Sequence, residues 1–471
     1  MSSSKKNTLL TNLLNRLSML NFKKIILRLS ILIIGFITLV LFINLSIFDE
    51  ELDPEIVELL KPTPEPPPYD NAYYALWGIG AAPDRDMMDS GIAFVKRYNQ
   101  NLIETKKEKV TDQDYIDTLG AKHFGSLLLK EYPNCRARTE HGCLSKINKI
   151  LSKNPISDPD MLLMFERYDS MIKLPTTKYS IKLTPASPLP YYGLVMQLGL
   201  LKKVSVYQSS DSAAFLEQIN RDIKFWKMML IKDEVLLGKM VSVAAIWNNV
   251  QLLSEYIKLH ELSGQDKDLI LDMIQSLTKE ELDIGTSFDS EFASYNHVFL
   301  VYLKDEFFIS QNSYLAITPF LQTNSTLNTY FKKYFKPSKT LSKMPLHRFI
   351  QYFNKCKGEN PIWSECIKNN ISTPNILNPT SYYNLAGKII MPILAINFES
   401  YVARVHDLNT MIRLVNLQLS LKTVDKELIP QAIKESEFNN PYTGKPMDYD
   451  AENGWLSFEC LDKSSVCKVK L

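Results

Sequence analysis

Twenty consecutive residues without a charge, Leu29 to Phe48, constrain this chain more than any other feature. An apolar helix of about 20 residues spans a hydrocarbon core of about 30 Å, and a helix pairs its own backbone polar groups there. The flanks are asymmetric. Residues 1–28 hold six positive charges (Lys5, Lys6, Arg16, Lys23, Lys24, Arg28) and no acid. Asp49 to Asp70 holds eight acids against Lys61 alone, with six prolines between Pro54 and Pro68. Excess Lys/Arg marks the cytoplasmic side of a span. The pattern therefore predicts a transmembrane helix at 29–48, a cytoplasmic basic segment at 1–28 and a Pro-rich acidic linker at 49–70. Cleavage as a signal peptide is disfavoured, because bulky residues from Asn44 to Phe48 stand where a small-residue exit is needed. Leu9, Leu10, Leu13, Leu14, Leu17 and Leu20 recur at helical spacing among the basic residues, which suits a short helix on an anionic membrane surface or a partner helix.

Roughly 400 residues follow the span, enough for a large core. Charges are balanced, 54 Lys and Arg against 52 Asp and Glu, and no concentrated basic patch points to nucleic acid. The six cysteines form three local pairs, Cys135/Cys143, Cys356/Cys366 and Cys460/Cys467. Even number and an extracytoplasmic position predict disulfides, each stabilising by roughly 2–3 kcal/mol in the chain-entropy account. Structural zinc sites use tighter C-x₂₋₄-C spacing.

Sixteen glycines in 471 residues and long apolar stripes predict a mainly helical fold. Residues 71–131 read as helices broken near Pro83, and residues 152–189 as irregular chain. Phe215, Ile219, Asp222, Trp226 and Met229 share one stripe, continued by Leu236, Met240, Val243, Trp247, Val250, Leu253 and Ile257. This predicts an antiparallel pair joined near Lys232-Asp233. Further helices are expected at Tyr191–Tyr207, Asp266–Ser276 and Tyr401–Leu419. The helical domain is expected to cover 71–440. In the closing element, 441–471, Asn453-Gly454 sits between short β-prone runs and predicts a hairpin, with Cys460 facing Cys467 across its return.

Several short motifs, taken in order, carry a resemblance: Asn71-Ala72-Tyr73-Tyr74 with Gly78, Phe225-Trp226, Leu236-Leu237-Gly238-Lys239-Met240-Val241, Glu291-Phe292, Asn324-Ser325-Thr326-Leu327-Asn328, Asn378-Pro379 with Gly387-Lys388, and Pro441-Tyr442-Thr443-Gly444-Lys445-Pro446. Together they resemble a family of single-pass, mostly helical proteins of bacterial envelopes with no known activity. The resemblance implies a bacterial inner-membrane location with a periplasmic domain. The closing element is also similar to the strand tip of secretion pseudopilins, but the chain lacks their prepilin-cleavage site.

Six dispersed histidines offer no H-E-x-x-H pair, and nucleophile elbows and Gly-rich phosphate loops are absent from the sequence. No cofactor or metal is expected. The candidate acids are Asp84 and Asp86 after Pro83, where helix capping competes with acid–base work, and Glu291 between apolar residues, where a buried ion pair competes. Lys239, inside the longest apolar stripe, is the expected buried partner of Glu291, as a pair that fixes helix register. Tyr73, Tyr74 and Trp77 pack the start of the domain or form a stacking surface for sugars. The leading expectation is a non-enzymatic envelope scaffold or accessory protein, with lipid and other envelope proteins as partners. An envelope-polymer hydrolase using these acids, or a periplasmic ligand-binding protein, is the alternative.

Overall fold

A computed structural model describes residues 24–61, 67–105, 111–120, 125, 128–181, 187–209, 212–297, 320–356, 379–394 and 398–471. The expected surface helix within 1–28, the proline run 62–66, Cys366 and Asn378 lie wholly or largely outside these residues. The helices include α1 (Lys24–Ile43), α2 (Met87–Thr105), α3 (Cys143–Leu151), α4 (Pro159–Met171), α5 (Tyr192–Gln208), α6 (Ser212–Lys232), α7 (Leu236–Leu259), α8 (Thr323–Tyr330), α9 (Leu385–Leu394) and α10 (Phe398–Leu421). Three short strands, β1 (Asp448–Asp450), β2 (Trp455–Ser457) and β3 (Lys468–Lys470), form an antiparallel sheet in that order. The fold is mainly helical with a small C-terminal sheet.

Contacts divide the chain into two units. The first contains the described residues up to Val57, together with 320–331 and 379–394. The second contains the rest. Two stretches of the expected 71–440 domain thus group with the N-terminal helix.

In the first unit, α1 is long and apolar enough to cross a membrane and is almost wholly uncovered by protein. It ends at Ile43, five residues short of Phe48. The cause is Asn44. Its Nδ2 turns back on the Val40 carbonyl at 2.8 Å and donates to Tyr382 O at 2.9 Å, while its Oδ1 accepts from Asn384 N at 2.8 Å. Gln322 Nε2 takes the Asn44 and Leu45 carbonyls. The acidic run beyond is partly fixed as well. Asp49 accepts from Asn324 N at 3.0 Å and Ser325 N at 2.9 Å, and so caps α8 from afar. Asn328 holds the Asp53 amide, and Pro54–Leu59 is a helical turn and a half. The linker therefore begins as docked chain.

The second unit is built on the α6–α7 hairpin, joined through Asp233-Glu234-Val235 as the apolar stripes predict. Trp226, Met229, Trp247 and Leu253 are fully buried between them. Helices α5 and α10 pack on α6 and α7 respectively. At the domain start Asn71 caps the helix Ala72–Gly78 by accepting from Tyr73 N at 3.0 Å. Tyr73, Tyr74 and Trp77 are buried with Phe94, Tyr98 and Leu119, so these aromatics form core and leave no stacking surface. The break at Pro83 is held by Arg167, whose guanidinium donates to the carbonyls of Ala81, Ala82 and Arg85. Residues 152–189 contain α4, contrary to the expectation of irregular chain; Asp158 caps it and Pro159 occupies its first position. The hairpin turns at Gly454 with φ +67°, and the Cys460–Cys467 disulfide closes its return.

Gly91 allows α2 to cross the Ala72–Gly78 helix closely, since a Cβ there would sit 1.9 Å from the Tyr74 carbonyl oxygen. Backbone cannot yield as a flexible side chain can. Gly91→Ala is expected to destabilise the folded domain by on the order of 3 kcal/mol, read as a lower urea midpoint; an unchanged midpoint would contradict this crossing.

Candidate functional site

Two of the three acids singled out in the sequence serve separate helix starts. Asp84 is exposed. Asp86 accepts from Asp89 N at 2.9 Å, at the entry to α2. Glu291 accepts from the Leu236 amide, the first residue of α7; burial raises its carboxyl and that hydrogen bond opposes the rise. Lys239 is fully buried, but its Nζ donates to Leu230 O at 2.6 Å and Ile231 O at 3.1 Å. Lys239 and Glu291 therefore have different partners. One closes the end of α6 and the other the start of α7, because each helix terminus leaves backbone groups that need partners. Asp233 completes the junction, accepting from Val235 N at 2.9 Å. Gly238 makes room for it: a Cβ there would lie 1.9 Å from Asp233 Oδ2.

A second set of groups gathers where the sheet meets the helices. Two small disulfide loops interlock there. Cys135–Cys143 closes one and Cys460–Cys467 the other. Arg138, inside the first loop, reaches the second: Nε donates to Ser465 Oγ at 3.0 Å, and Nη2 to Ser464 Oγ at 2.7 Å and Asp462 Oδ2 at 3.2 Å. The Val466 amide returns a bond to the Arg138 carbonyl at 3.0 Å. Arg404 of α10 also donates to Asp462, at 2.7 Å. Burial raises the Asp462 carboxyl, but the Ser464 amide and Arg404 outweigh it and hold the group below the usual carboxylate range. Asp407 lies beneath, accepting from Tyr442 Oη at 2.7 Å, Leu461 N at 2.9 Å and Asp462 N at 2.8 Å.

Beside this clasp a cleft of about 230 Å³ opens between α3, α7 and the sheet. His141, Ser145, Gln251, Glu255, Trp455 and Lys470 contribute to its walls. Glu255 accepts from Leu144 N at 3.0 Å and Ser145 N at 3.4 Å, so it caps α3. Burial raises its carboxyl while the Ser145, Cys143 and Leu144 amides oppose the rise. The His141 ring lies 4.8 Å from the Trp455 ring. Burial lowers the His141 imidazole, and Lys468 and Lys146 lower it further. Lys468 and Lys470 lie over Trp455 at 4.5 and 5.6 Å. Two polar atoms here have no protein partner: His141 Nε2 and Gln251 Nε2. Gln251 is only 4% exposed. No residue of this cleft except the cysteine loop beside it is marked by a sequence motif, because its parts come from positions far apart in the chain.

A third polar cluster is sealed in the core. Asp222, in the apolar stripe of α6, accepts from Lys203, Tyr168 and, at 2.8 Å, Asn249 Nδ2. All four side chains are buried and draw α4, α5, α6 and α7 together. Its burial where four helices meet suits fixing the fold.

Among the described residues no group of three or more His, Cys, Asp or Glu is placed to hold a metal ion. The chain matches no protein-family model, and no curated protein or solved structure is found to be similar to it.

Two outcomes test this region. Arg138→Met removes the bridge between the loops and is expected to destabilise by about 2–4 kcal/mol in chemical denaturation, since Asp462 keeps one guanidinium and loses the other; a change under about 0.5 kcal/mol would show the clasp is incidental. The second concerns pH. Burial pushes His406 down to about 4 and Asp407 up to about 6. Neutral His406 contributes its full stability above about pH 6.5 and loses it as pH falls towards its folded value. Asp407 acts oppositely: the folded state keeps a proton that the unfolded chain releases, so acidification below about pH 6 favours folding there. His406→Phe removes the first effect only. Between pH 7 and pH 4.5 the variant should gain on the order of 2 kcal/mol relative to the parent chain, and parallel pH profiles would count against a buried neutral imidazole.

Proposed function

We propose that this chain is a non-catalytic, single-pass membrane protein of a bacterial envelope, a scaffold or accessory subunit that presents its disulfide-bearing helical domain outside the cytoplasm. One observation carries the non-catalytic reading: the buried acids are committed to backbone amides and fixed cations. Glu291, Glu255, Asp233 and Asp407 each accept from a main-chain N–H, leaving little free acid for proton transfer. The apolar helix α1 supports anchoring, and the disulfides favour an oxidising compartment. The orientation, with residues 1–28 in the cytoplasm and the rest in the periplasm, rests on the charge asymmetry around Leu29–Phe48.

Two measurements test it. The chain should resist carbonate extraction and yield to detergent, and a periplasm-dependent reporter at the C-terminus should be active. After cross-linking in intact cells, detergent purification should recover further envelope proteins; recovery of this chain alone would remove the scaffold reading. The hydrolase alternative requires that Asp84, Asp86 or Glu291 act as an acid, and the triple change Asp84→Asn, Asp86→Asn, Glu291→Gln should leave any cellular phenotype intact.

A second reading, capture of a small organic anion, is favoured by the unpartnered amide nitrogen of Gln251 in the cleft. Among the described lining residues Glu255 is the one acid, and its oxygens already receive backbone amides, whereas Lys258 and Lys470 supply positive charge. A buried donor without a partner costs about 1–3 kcal/mol. Gln251→Leu is therefore expected to leave the thermal midpoint unchanged or raise it, and to abolish stabilisation by small dicarboxylates. A lower midpoint with no ligand effect in either protein would assign Gln251 to packing alone.

A further inference from the structure

The first unit contains a second apolar element alongside α1. Tyr382 precedes α9, and its ring meets Phe36 edge-on with centroids 5.1 Å apart. Phe36 lies seven residues before the end of α1 at Ile43, which places this contact about 10 Å below the helix end at 1.5 Å per residue. Val40, one turn nearer the end, is 6% exposed, whereas most of α1 is open. Protein therefore covers α1 on one side at a depth where the uncharged run still continues, since the first acid after it is Asp49.

The backbone follows the same course. The Tyr382 carbonyl and the Asn384 amide are both bound by the Asn44 side chain, which fixes the start of α9 beside the end of α1. Helix α9 reads Leu385-Ala386-Gly387-Lys388-Ile389-Ile390-Met391 over its first two turns, with one charge. Ala386 and Met391 are buried. Gly387 faces α8, where a Cβ would lie 2.1 Å from Thr326 Oγ1. Ile389 points away and is 55% exposed. Lys388 folds its ammonium back to the Ser381 carbonyl at 3.3 Å, so the aliphatic face is not interrupted by a free cation. In water an open isoleucine beside an open apolar helix is costly; at a bilayer surface both faces have one solvent.

We infer that Tyr382 and α9 form a non-spanning element inserted at the outer face of the same bilayer that α1 crosses, with the Tyr382 ring beside Phe36 among the acyl chains, Asn384 at the level of the α1 end, and Ile389 turned to lipid. The occupant of the exposed α9 face is lipid. This rests on the reading of α1 as a membrane span, and the test separates the two.

Full-length protein in phosphatidylcholine–phosphatidylglycerol vesicles carries one introduced cysteine, labelled with an environment-sensitive fluorophore, with the parent chain as labelling blank. Ile389→Cys should be quenched several-fold by lipid with a nitroxide high on the acyl chain and little by aqueous iodide. Ile33→Cys, inside α1, should respond to a deeper nitroxide. Leu428→Cys, exposed in the helical unit, should respond to iodide alone. If Ile389 follows Leu428 while Ile33 stays lipid-shielded, the inference is overturned and the span stands. If Ile33 is open to iodide, the span fails and the inference with it. Should Ile389→Cys not fold, Leu385→Cys, one turn earlier on the same side of α9, gives the same readings.

Discussion

Helix ends leave backbone N–H and C=O groups without partners, and how this chain satisfies them organises most of its structure. Many are closed by charged side chains from distant positions. Asp49 closes the start of α8, Glu255 the start of α3, and Glu291 the start of α7. Lys239 closes the end of α6, and Arg167 collects the carbonyls around the Pro83 break. Each such bond does two things. It removes an unsatisfied backbone group, and it ties two elements far apart in sequence into one geometry. A charge-assisted hydrogen bond contributes about 1.5–3 kcal/mol, so a handful matches the whole margin of a folded domain.

The same accounting explains why the candidate acids do not converge. A carboxylate in an apolar setting must find donors. Here most of the donors to Glu255, Glu291 and Asp233 are main-chain amides, which are fixed, uncharged and unable to exchange protons with a substrate. Asp407 illustrates the result: three donors converge on it, and what it orders is the turn at Leu461-Asp462 that carries the second disulfide loop. Gln251 departs from the pattern. It is more buried than the capping acids Glu255 and Glu291, and its amide nitrogen meets no acceptor beside the cleft that its residue lines.

Much of the fold was legible because its signals are local. The stripes from Phe215 to Ile257 located α6 and α7, Asn453-Gly454 the hairpin, and cysteine spacing two disulfides. Local capping was legible in principle even where it was passed over: Asp158-Pro159 announces α4 in a stretch that composition alone suggests is irregular. What could not be read is which partner a buried group takes. Lys239 lies in an apolar stripe, which says that it is buried but not by what; the carbonyls of Leu230 and Ile231 are as invisible to pattern as Glu291 was plausible. The cleft is the extreme case, since His141, Gln251 and Trp455 meet only through packing of α3, α7 and β2.

The end of α1 shows what this mode of closure means mechanically. A span followed by a flexible tether transmits nothing, because the tether absorbs tilt and rotation. Here Asn44 makes bonds to its own helix, to Tyr382 and to Asn384, and Asp49, five residues on, caps α8. Rotating α1 about its axis would carry Asn44 and Asp49 through different arcs. Both sets of bonds would break, exposing backbone groups of α8 and α9. The first unit is therefore stiff where a tether would be soft, and any rotation of α1 is passed directly to α8 and α9.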